Sequence, residues 1–435
     1  MAELIAQTTR RALSRRRLFG LAAGGLAAAG LAGCGTSQPP KSFRWQAIPT
    51  YSLVAPLPER VEYVRARLAD YERETGWLPL PEVTSNDINA SMAKLLLQAS
   101  QGRAPEVAQV DSYVFGRFAR YANDLSEPLR RAGLRLDDWF PQFRELMTTE
   151  TGQPRALQFN TDVRVLYYRR DLVPNPPASW DEVFSLGRRL AAHGKYFMFC
   201  GSRSEDSVNT ALWPQYWAQG GEILNPDGSP GFASGPARRA MIDSLGFLRR
   251  LVTEGVTPQR ISTLRGDDDV NPDVLAGNVA MFMGGSWQGA DLQKLVKGAD
   301  FGREWGAAPV PSRSGDNHRC VAGGWTWASF AKDPEVAVQS MKLVIDGYCG
   351  DSGMARWCTL GGYLPTRESV YDHPEYHGDA FTPVFREHLR RYARVRPLRR
   401  EYQQVSNAMQ IALSSVTSLS KEPEAAVDAA LAQIV

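Results

Sequence analysis

The chain has 435 residues, 43% of them hydrophobic and 22% charged, which is an ordinary composition for a soluble globular protein. Its formal net charge of +3 arises in residues 1–33, which carry five arginines and one glutamate, so the remainder has a net charge of −1. A chain that is not basic gives no reason to expect nucleic-acid binding. About 400 residues follow residue 33, too many for one compact core, and this length predicts two domains.

The N-terminal 33 residues have the pattern of an export signal, in which a basic start is followed by an apolar stretch. The apolar stretch, residues 18–33, has 16 residues, fewer than the roughly 20 that span a bilayer. "SRRRLF" at residues 14–19 resembles a twin-arginine signal. We therefore expect residues 1–33 to be a signal peptide, and no later segment is apolar and long enough to enter a membrane.

"LAGC", which ends at Cys34, resembles the lipobox of bacterial lipoproteins, in which the cysteine thiol receives a diacylglyceryl group. The resemblance implies that Cys34 is lipidated and that residues 34–41, which are polar and proline-rich, form a tether. An ordinary buried cysteine is the alternative interpretation.

Four more cysteines follow, at positions 200, 320, 349 and 358. An even number in an oxidising compartment permits two disulfides. The short spacing favours Cys349–Cys358, which leaves Cys200–Cys320 as the second pair. Four reduced, buried thiols are the alternative.

The first predicted helix is "RVEYVRARLADYERETG", which places Val61, Val64, Leu68 and Tyr71 on one face and stops at Gly76. The second, "NDINASMAKLLLQASQG", has Asn86 or Asp87 as its cap. Between the two helices, "LPLPEV" contains two prolines, which predicts an unusual edge of the first sheet.

Predicted strands follow at "EVAQVD" (106–111), "VRVLYYR" (163–169), "YFMFCG" (196–201) and "VAMFMG" (279–284). The last two do not alternate, so both of their faces are expected to be covered. "SWDE" at 179–182 is a capping box that starts another helix, and the last 40 residues indicate two helices broken at "SKEPE". Alternating strands and amphipathic helices predict an α/β fold with largely parallel sheets.

Seven phrases then fall in a known order: "GRAPEV", "ALQFNTDVRVLYYRRDL", "PPASWDEV", "GNVAMFMGGSW", "WGAAPVP", "GGWTWASF" and "GGYLPTR". The series resembles the extracellular solute-binding proteins of bacterial ABC importers, in the sugar-binding family similar to maltose-binding protein. The resemblance covers nearly all of the chain after the signal. It implies a two-lobed α/β fold of the type II periplasmic-binding-protein class, with hinge crossings between the lobes and a ligand cleft between them.

Mapped onto this chain, the resemblance gives lobe one as residues 42–155 plus 312–358 and lobe two as residues 160–308 plus 364–435. The crossings would lie at 155–161, 308–313 and 360–365. The implied partners are a small sugar and the subunits of an ABC permease, with the membrane reached through the lipid on Cys34. The protein would be an exported monomer, lipid-anchored on the periplasmic or extracytoplasmic face of the cell membrane. No cofactor is implied.

A sugar presents an apolar C–H face that stacks on aromatic rings and hydroxyls that need several hydrogen-bond partners. Aromatic and polar residues at strand ends and in loops are therefore the candidate ligand contacts: Trp45, Glu82, Asp111, Tyr113, Asn160, Trp213, Trp217, Trp287, Trp325, Tyr363 and Arg399. For Trp45, Trp213 and Trp217 the alternative is a place in the core, and for Asp111 it is a helix cap. Arg367 and Arg399 are candidates for an anionic group.

The tryptophans favour a di- or oligosaccharide, and a polyol, an amino sugar or a glycerol phosphate ester would fit the same scaffold. A secreted polysaccharide-degrading enzyme is the rival interpretation, because a glycosidase needs only two carboxylates. Common hydrolase and nucleotide-binding motifs are absent from the sequence, so we expect no catalysis. We also expect no metal site: "HPEYH" (373–377) is interpreted as a surface loop, and "GDDDV" (266–270) as solvated.

Overall fold

The computed structural model describes residues 41–85, 88–149, 151–296 and 300–434. The expected signal peptide, Cys34 and the helix cap at Asn86 or Asp87 lie outside these residues. None of the described helices is both long and apolar enough to cross a membrane.

The strands, in chain order, are β1 (Ser42–Ala47), β2 (Leu78–Val83), β3 (Val107–Asp111), β4 (Leu157–Asn160), β5 (Arg164–Arg169), β6 (Tyr196–Met198), β7 (Val279–Gly285), β8 (Trp305–Ala308), β9 (Cys320–Val321), β10 (Trp325–Ser329) and β11 (Ala393–Arg394).

The α-helices are α1 (Pro58–Thr75), α2 (Ile88–Ser100), α3 (Ser126–Arg131), α4 (Pro141–Met147), α5 (Trp180–Ala191), α6 (Glu205–Ser207), α7 (Trp213–Ala218), α8 (Gly235–Thr253), α9 (Asn271–Leu275), α10 (Trp287–Leu295), α11 (Phe301–Glu304), α12 (Pro334–Val344), α13 (Asp351–Gly361), α14 (Thr382–Arg391), α15 (Tyr402–Thr417) and α16 (Pro423–Ile434).

Two sheets organise the chain. The first has the order β2-β1-β3-β10-β4 and the second the order β6-β7-β5-β8, while β11 and β9 form a separate pair. β10 runs antiparallel to both of its neighbours, and β5 does so in the second sheet. The prediction of largely parallel sheets was therefore wrong. β5 follows β4 of the first sheet, and β10 follows β9 of the separate pair, so no helical crossover within one sheet sets their direction.

Several local predictions are confirmed. α1 buries Val64 and Tyr71 and ends at Gly76, whose φ of 70° lies in the left-handed region that glycine adopts readily. α5 begins with the predicted capping box between Ser179 and Glu182. α15 and α16 are the two predicted C-terminal helices, with the break between them.

The proline-rich strand β2 lies at the edge of the first sheet, paired only with β1 along its length. An edge strand tolerates Pro79 and Pro81 because one of its sides needs no backbone donors. The expected irregularity is thus accommodated by position within the sheet.

The sheets define two lobes whose boundaries differ from the mapped ones. Residues 157–160 form β4 of the first sheet. Residues 312–321 contact the second lobe: Ser312 bridges to Ser179, and Asn317 Nδ2 donates to the Ala218 carbonyl at 2.6 Å. Conversely, residues 364–372 contact the first lobe, where the Thr366 hydroxyl donates to the Gln158 carbonyl at 2.6 Å. These contacts shift all three crossings by several residues.

The crossing segments touch one another between the sheets. Thr161 bridges to Leu364 and Val163 to Ala322. Gly324 has a φ of +120°, and a Cβ there would lie 2.1 Å from the Asn160 carbonyl oxygen. Only glycine permits this close approach, so the junction of β10 with the crossing depends on that residue.

The four described cysteines are all free and buried. The favoured disulfide pairs are therefore wrong, and the alternative of reduced, buried thiols is observed. The Cys200 thiol donates to the Asp267 carboxylate at 3.1 Å, and the Cys358 thiol points to the Phe159 carbonyl at 3.7 Å. These two thiols thus each have a polar partner in the core.

Candidate ligand-binding cleft

A cavity of about 610 Å³ lies between the two sheets. Its volume falls within the range of about 300–1,000 Å³ that small-molecule sites occupy. The walls come from both lobes and from the crossing segments, including Gly323 and Gly324. This is the place where the sequence predicted a ligand cleft.

Three predicted site residues stand side by side on adjacent strands of the first sheet. Trp325 starts β10, opposite Asp111 at the end of β3 and Asn160 at the end of β4. All three line the cleft. Antiparallel pairing of β10 with both neighbours brings these ends together, although the residues are widely separated in sequence.

Aromatic rings cover much of the first-lobe wall. Tyr51 lies 6.1 Å from Trp325 and 5.8 Å from Tyr363, measured between ring centroids. Asn160 fixes this group, because its Nδ2 donates to the Tyr51 hydroxyl at 2.9 Å and its Oδ1 accepts from the Trp325 backbone N–H. The predicted residues Tyr113 and Tyr363 also line the cleft.

On the opposite wall, Trp287 begins α10 immediately after β7 and is partly exposed. The Arg164 guanidinium lies 4.8 Å from the ring centroid of Trp287, and the indole Nε1 donates to Asp268 at 2.8 Å. An indole held by a cation on its face and a carboxylate at its edge is a rigid platform. Trp287 is therefore positioned to contact a ligand from the second lobe.

Arg164 is buried among carboxylates of the second lobe. It forms ion pairs with Asp162 and, at 3.4 Å each, with Asp206 and Asp267. Burial raises the pKa of Asp267, although the arginine opposes this effect. Three carboxylates around one guanidinium leave an excess of negative charge at this wall.

Arg396 joins the two lobes. Its Nη1 donates to Glu205 of α6 at 2.9 Å, and its guanidinium lies 4.0 Å from Asp111 of β3. It also covers the Tyr113 ring at 4.4 Å. Burial raises the pKa of Asp111 to about 7, and Arg396 acts in the opposite direction.

Three buried polar side chains of the cleft have an atom without a hydrogen-bond partner among the described residues. They are Arg60 and Arg396, each through Nε, and Asn209, through Oδ1. Asn209 lies in the π-helical turn Val208–Leu212, a type of turn that is frequent at functional sites. Two unpaired donors and one unpaired acceptor thus border the same cavity.

Three of the predicted tryptophans belong to the core. Trp45 is buried and stacks on Trp327 at 5.7 Å inside the first lobe. Trp213 and Trp217 of α7 are buried inside the second lobe. Their assignment as ligand contacts is corrected, because each ring is already covered by its own lobe.

Three polar candidates also lie away from the cleft. Glu82, on the edge strand, accepts from Gln46 at 3.3 Å. Arg399 donates to the Pro226 carbonyl at the surface. Arg367 pairs with Asp138 at 2.7 Å and Asp351 at 2.6 Å in the first lobe.

The sequence analysis missed several cleft residues, namely Tyr51, Arg60, Arg164, Glu205, Asp206, Asn209, Asp268 and Arg396. "GDDDV" is also not solvated throughout, since Asp267 is buried against Arg164 and Asp268 faces the cleft. The sequence signal that could have identified Asp268 as a cleft residue is the position of this segment shortly before β7. In the described ranges, no cluster of three or more histidine, cysteine or acidic residues is arranged to hold a metal ion.

The sequence profile of the bacterial extracellular solute-binding proteins matches residues 66–383, well over half of the chain. The chain belongs to this family. As a member of an extracellular family, this solute-binding protein is exported and binds a solute.

Curated relatives agree with this membership. A "Probable ABC transporter-binding protein" of Deinococcus radiodurans is 25% identical and aligns with 77% of this chain and 81% of its own. The maltodextrin-binding protein MdxE of Bacillus subtilis is 19% identical, over 73% and 74% of the two chains. The sn-glycerol-3-phosphate-binding protein UgpB of Escherichia coli K12 is 24% identical, over 62% and 63%.

Solved structures share the fold. The maltose-bound MalE3 of T. maritima superposes with a TM-score of 0.73 at 19% identity, covering 90% of this chain and 98% of that one. The sugar-binding MalE of Xanthomonas citri gives a TM-score of 0.72 at 22% identity, covering 91% and 96%. The predicted two-lobed binding-protein fold is confirmed.

Proposed function

We propose that this solute-binding protein captures a sugar in the cleft, in particular a di- or oligosaccharide, and delivers it to an ABC permease. One observation carries the proposal: the cleft combines aromatic rings on both walls with two unpaired buried donors and an unpaired buried acceptor. Apolar C–H faces suit the rings, and a hydroxyl both donates and accepts hydrogen bonds. The names of several relatives agree with this ligand class.

Ligand binding would favour closure of the lobes. A sugar that contacts Trp325 of the first lobe and Trp287 of the second interacts more strongly with the closed form than with an open one. Such differential binding shifts the equilibrium toward closure. The bridges at Thr161 and Val163 mark where the backbone would rotate.

We further propose that a lipid on Cys34 anchors the protein at the outer face of the cell membrane and that it works as a monomer. Replacing Cys34 by serine is expected to move the protein from the detergent phase to the aqueous phase in detergent phase separation. If wild type and variant partition alike, the anchor assignment is contradicted.

A phosphate ester fits the cleft less well. Two of the three buried cleft arginines, Arg164 and Arg396, are already paired with carboxylates, which compete with an added anion. We also propose binding without catalysis, so a bound sugar should be recovered chemically unchanged after prolonged incubation.

The test is a thermal-shift screen of the soluble protein, without residues 1–34, against neutral sugars, amino sugars, polyols and glycerol phosphate esters. A ligand at 100 times its dissociation constant stabilises the fold by about 2.7 kcal/mol. We expect at least one sugar to raise the melting temperature, with affinity confirmed by calorimetry. Stabilisation by phosphate esters alone would contradict the proposal.

A further inference from the structure

The described side chains around the cleft carry more negative than positive charge. Six carboxylates line it, from Asp111, Asp162, Glu205, Asp206, Asp268 and Asp291, against four arginines, from Arg60, Arg164, Arg265 and Arg396. A neutral ligand leaves this imbalance in place when the lobes close. A cationic ligand reduces it.

The excess is localised on the second-lobe wall. Arg396 forms ion pairs with Glu205 and Asp111, and Arg164 forms ion pairs with Asp162 and Asp206. Within the described ranges, Asp268 and Asp291 form no ion pair, and neither do the cleft arginines Arg60 and Arg265. These two carboxylates are the ones available to an incoming positive charge.

Both carboxylates flank Trp287. Asp268 accepts from the indole Nε1 at 2.8 Å, and Asp291 lies one helical turn further along α10. The charged groups with the largest effect on the pKa of Asp268 are Asp291, Asp206 and Asp269, which are acidic. Lys294 and Arg60 act on Asp291 without pairing with it.

The unpaired acceptor of the cleft points to a donor on the ligand, whereas the unpaired arginine donors suit the hydroxyl oxygens of a sugar. Asn209 lines the same cleft, is only 3% exposed, and has no donor for its Oδ1 within the described ranges. A buried acceptor without a partner is costly unless a ligand satisfies it. A protonated amine offers three donors and no acceptor.

We propose that the ligand carries a protonated amine, as in an amino sugar or an oligosaccharide that contains one, and that this amine lies beside Trp287, Asp268 and Asp291. The proposal rests on the proposed function, because it specifies the sugar. The sugar ring would face Trp325, and the amine would face the second lobe.

The raised pKa of Asp268 is a further argument for a cationic ligand. Loss of hydration among the surrounding protein atoms, together with the neighbouring carboxylates, raises its pKa to about 6, while the hydrogen bond from Trp287 opposes the rise. A bound cation favours the ionised form. Binding at about pH 6 should therefore release protons to the buffer.

The experiment is calorimetry with matched probes that differ only at the nitrogen-bearing carbon. Glucosamine is compared with glucose and N-acetylglucosamine, galactosamine with its two counterparts, and the fully deacetylated chitobiose with cellobiose and diacetylchitobiose. In at least one set the amine should bind about tenfold or more tighter than both uncharged probes at about pH 7.5. The advantage should shrink as salt rises from about 50 to 500 mM.

Asp268→Asn and Asp291→Asn should each reduce the amine's advantage, measured as the ratio of its affinity to that of the uncharged probes, about threefold or more. Asp181→Asn is the matched control, because Asp181 is an exposed carboxylate on α5 outside the cleft. Circular dichroism of each variant reports whether it folds, and the wild-type comparison stands even if a variant does not.

Uncharged probes that bind as tightly as the amines, or more tightly, would overturn the inference and leave the proposed function intact. If no probe of either kind binds and the sugar screen is also negative, both fail. An amine advantage that survives both asparagine substitutions would overturn the placement beside Trp287.

Discussion

The Arg396 guanidinium donates to the Glu205 carboxylate at 2.9 Å and lies 4.0 Å from Asp111 of the opposite lobe. Glu205 also accepts from the Tyr402 hydroxyl at 2.6 Å and from Gln410 Nε2 at 3.0 Å. One buried arginine thus connects the end of a first-lobe strand with helices of the second lobe, beside the cleft.

Arg396→Ala should lower the free energy of unfolding by about 3–5 kcal/mol, because it leaves buried carboxylates without their cation. Urea unfolding followed by circular dichroism measures this change. Arg399→Ala is the matched control: Arg399 lies at the surface, and its loss should cost less than about 0.5 kcal/mol. Equal effects of the two substitutions would show that Arg396 has no special role in stability.

Trp287→Ala and Trp325→Ala should each weaken binding of the sugar found in the screen about tenfold or more, since each removes a ring that we propose contacts the ligand. Calorimetry measures the affinity, and thermal unfolding confirms the fold. Trp45→Ala is the contrast, because that ring is enclosed in the first lobe. It should lower stability by about 3–5 kcal/mol and leave the affinity of the folded protein unchanged. If neither cleft variant loses affinity, the site is misplaced.

Asp111 should make the unliganded protein less stable as the pH rises. Its pKa is raised to about 7 in the folded state, against about 4 when unfolded, so the folded state holds the proton more tightly. Its contribution to the free energy of unfolding is therefore complete below about pH 4 and falls, by about 1–4 kcal/mol in all, until about pH 7.

The difference in unfolding free energy between Asp111→Asn and wild type should accordingly increase from about pH 4 to pH 7 and level off above about pH 8. His388, whose pKa is lowered to about 4 by burial, has the opposite pH dependence but is common to both proteins. Urea titrations over this range give the difference curve. Parallel curves would mean that Asp111 is not the group responsible.

The cysteines should behave as buried thiols. Burial raises the pKa of Cys320 to about 12, and each of the four described sulfurs is enclosed in a lobe. Reductant should leave the melting temperature of the protein without Cys34 unchanged, and Ellman's reagent should react with four thiols only after denaturation. A reductant-dependent loss of stability would indicate a disulfide.

Sequence patterns alone were enough for the local elements and the family. Periodicity located α1, and the capping box located α5. The phrases "GGWTWASF" and "GNVAMFMGGSW" predicted that Trp325 and Trp287 lie at the cleft, and both residues line it. These features depend on residues close in sequence, where hydrogen bonds and side-chain spacing are fixed by helix and strand geometry.

The tertiary structure alone decided which aromatic rings face the cleft and which charges meet. Trp45 and Trp325 are both tryptophans of first-sheet strands. The packing of the sheet encloses Trp45 in the core, whereas Trp325 lines the cleft. Arg396 carries no local signal, because its partners Glu205 and Asp111 come from distant segments. Burial and long-range charge pairing are properties of the assembled lobes, and a linear pattern does not contain them.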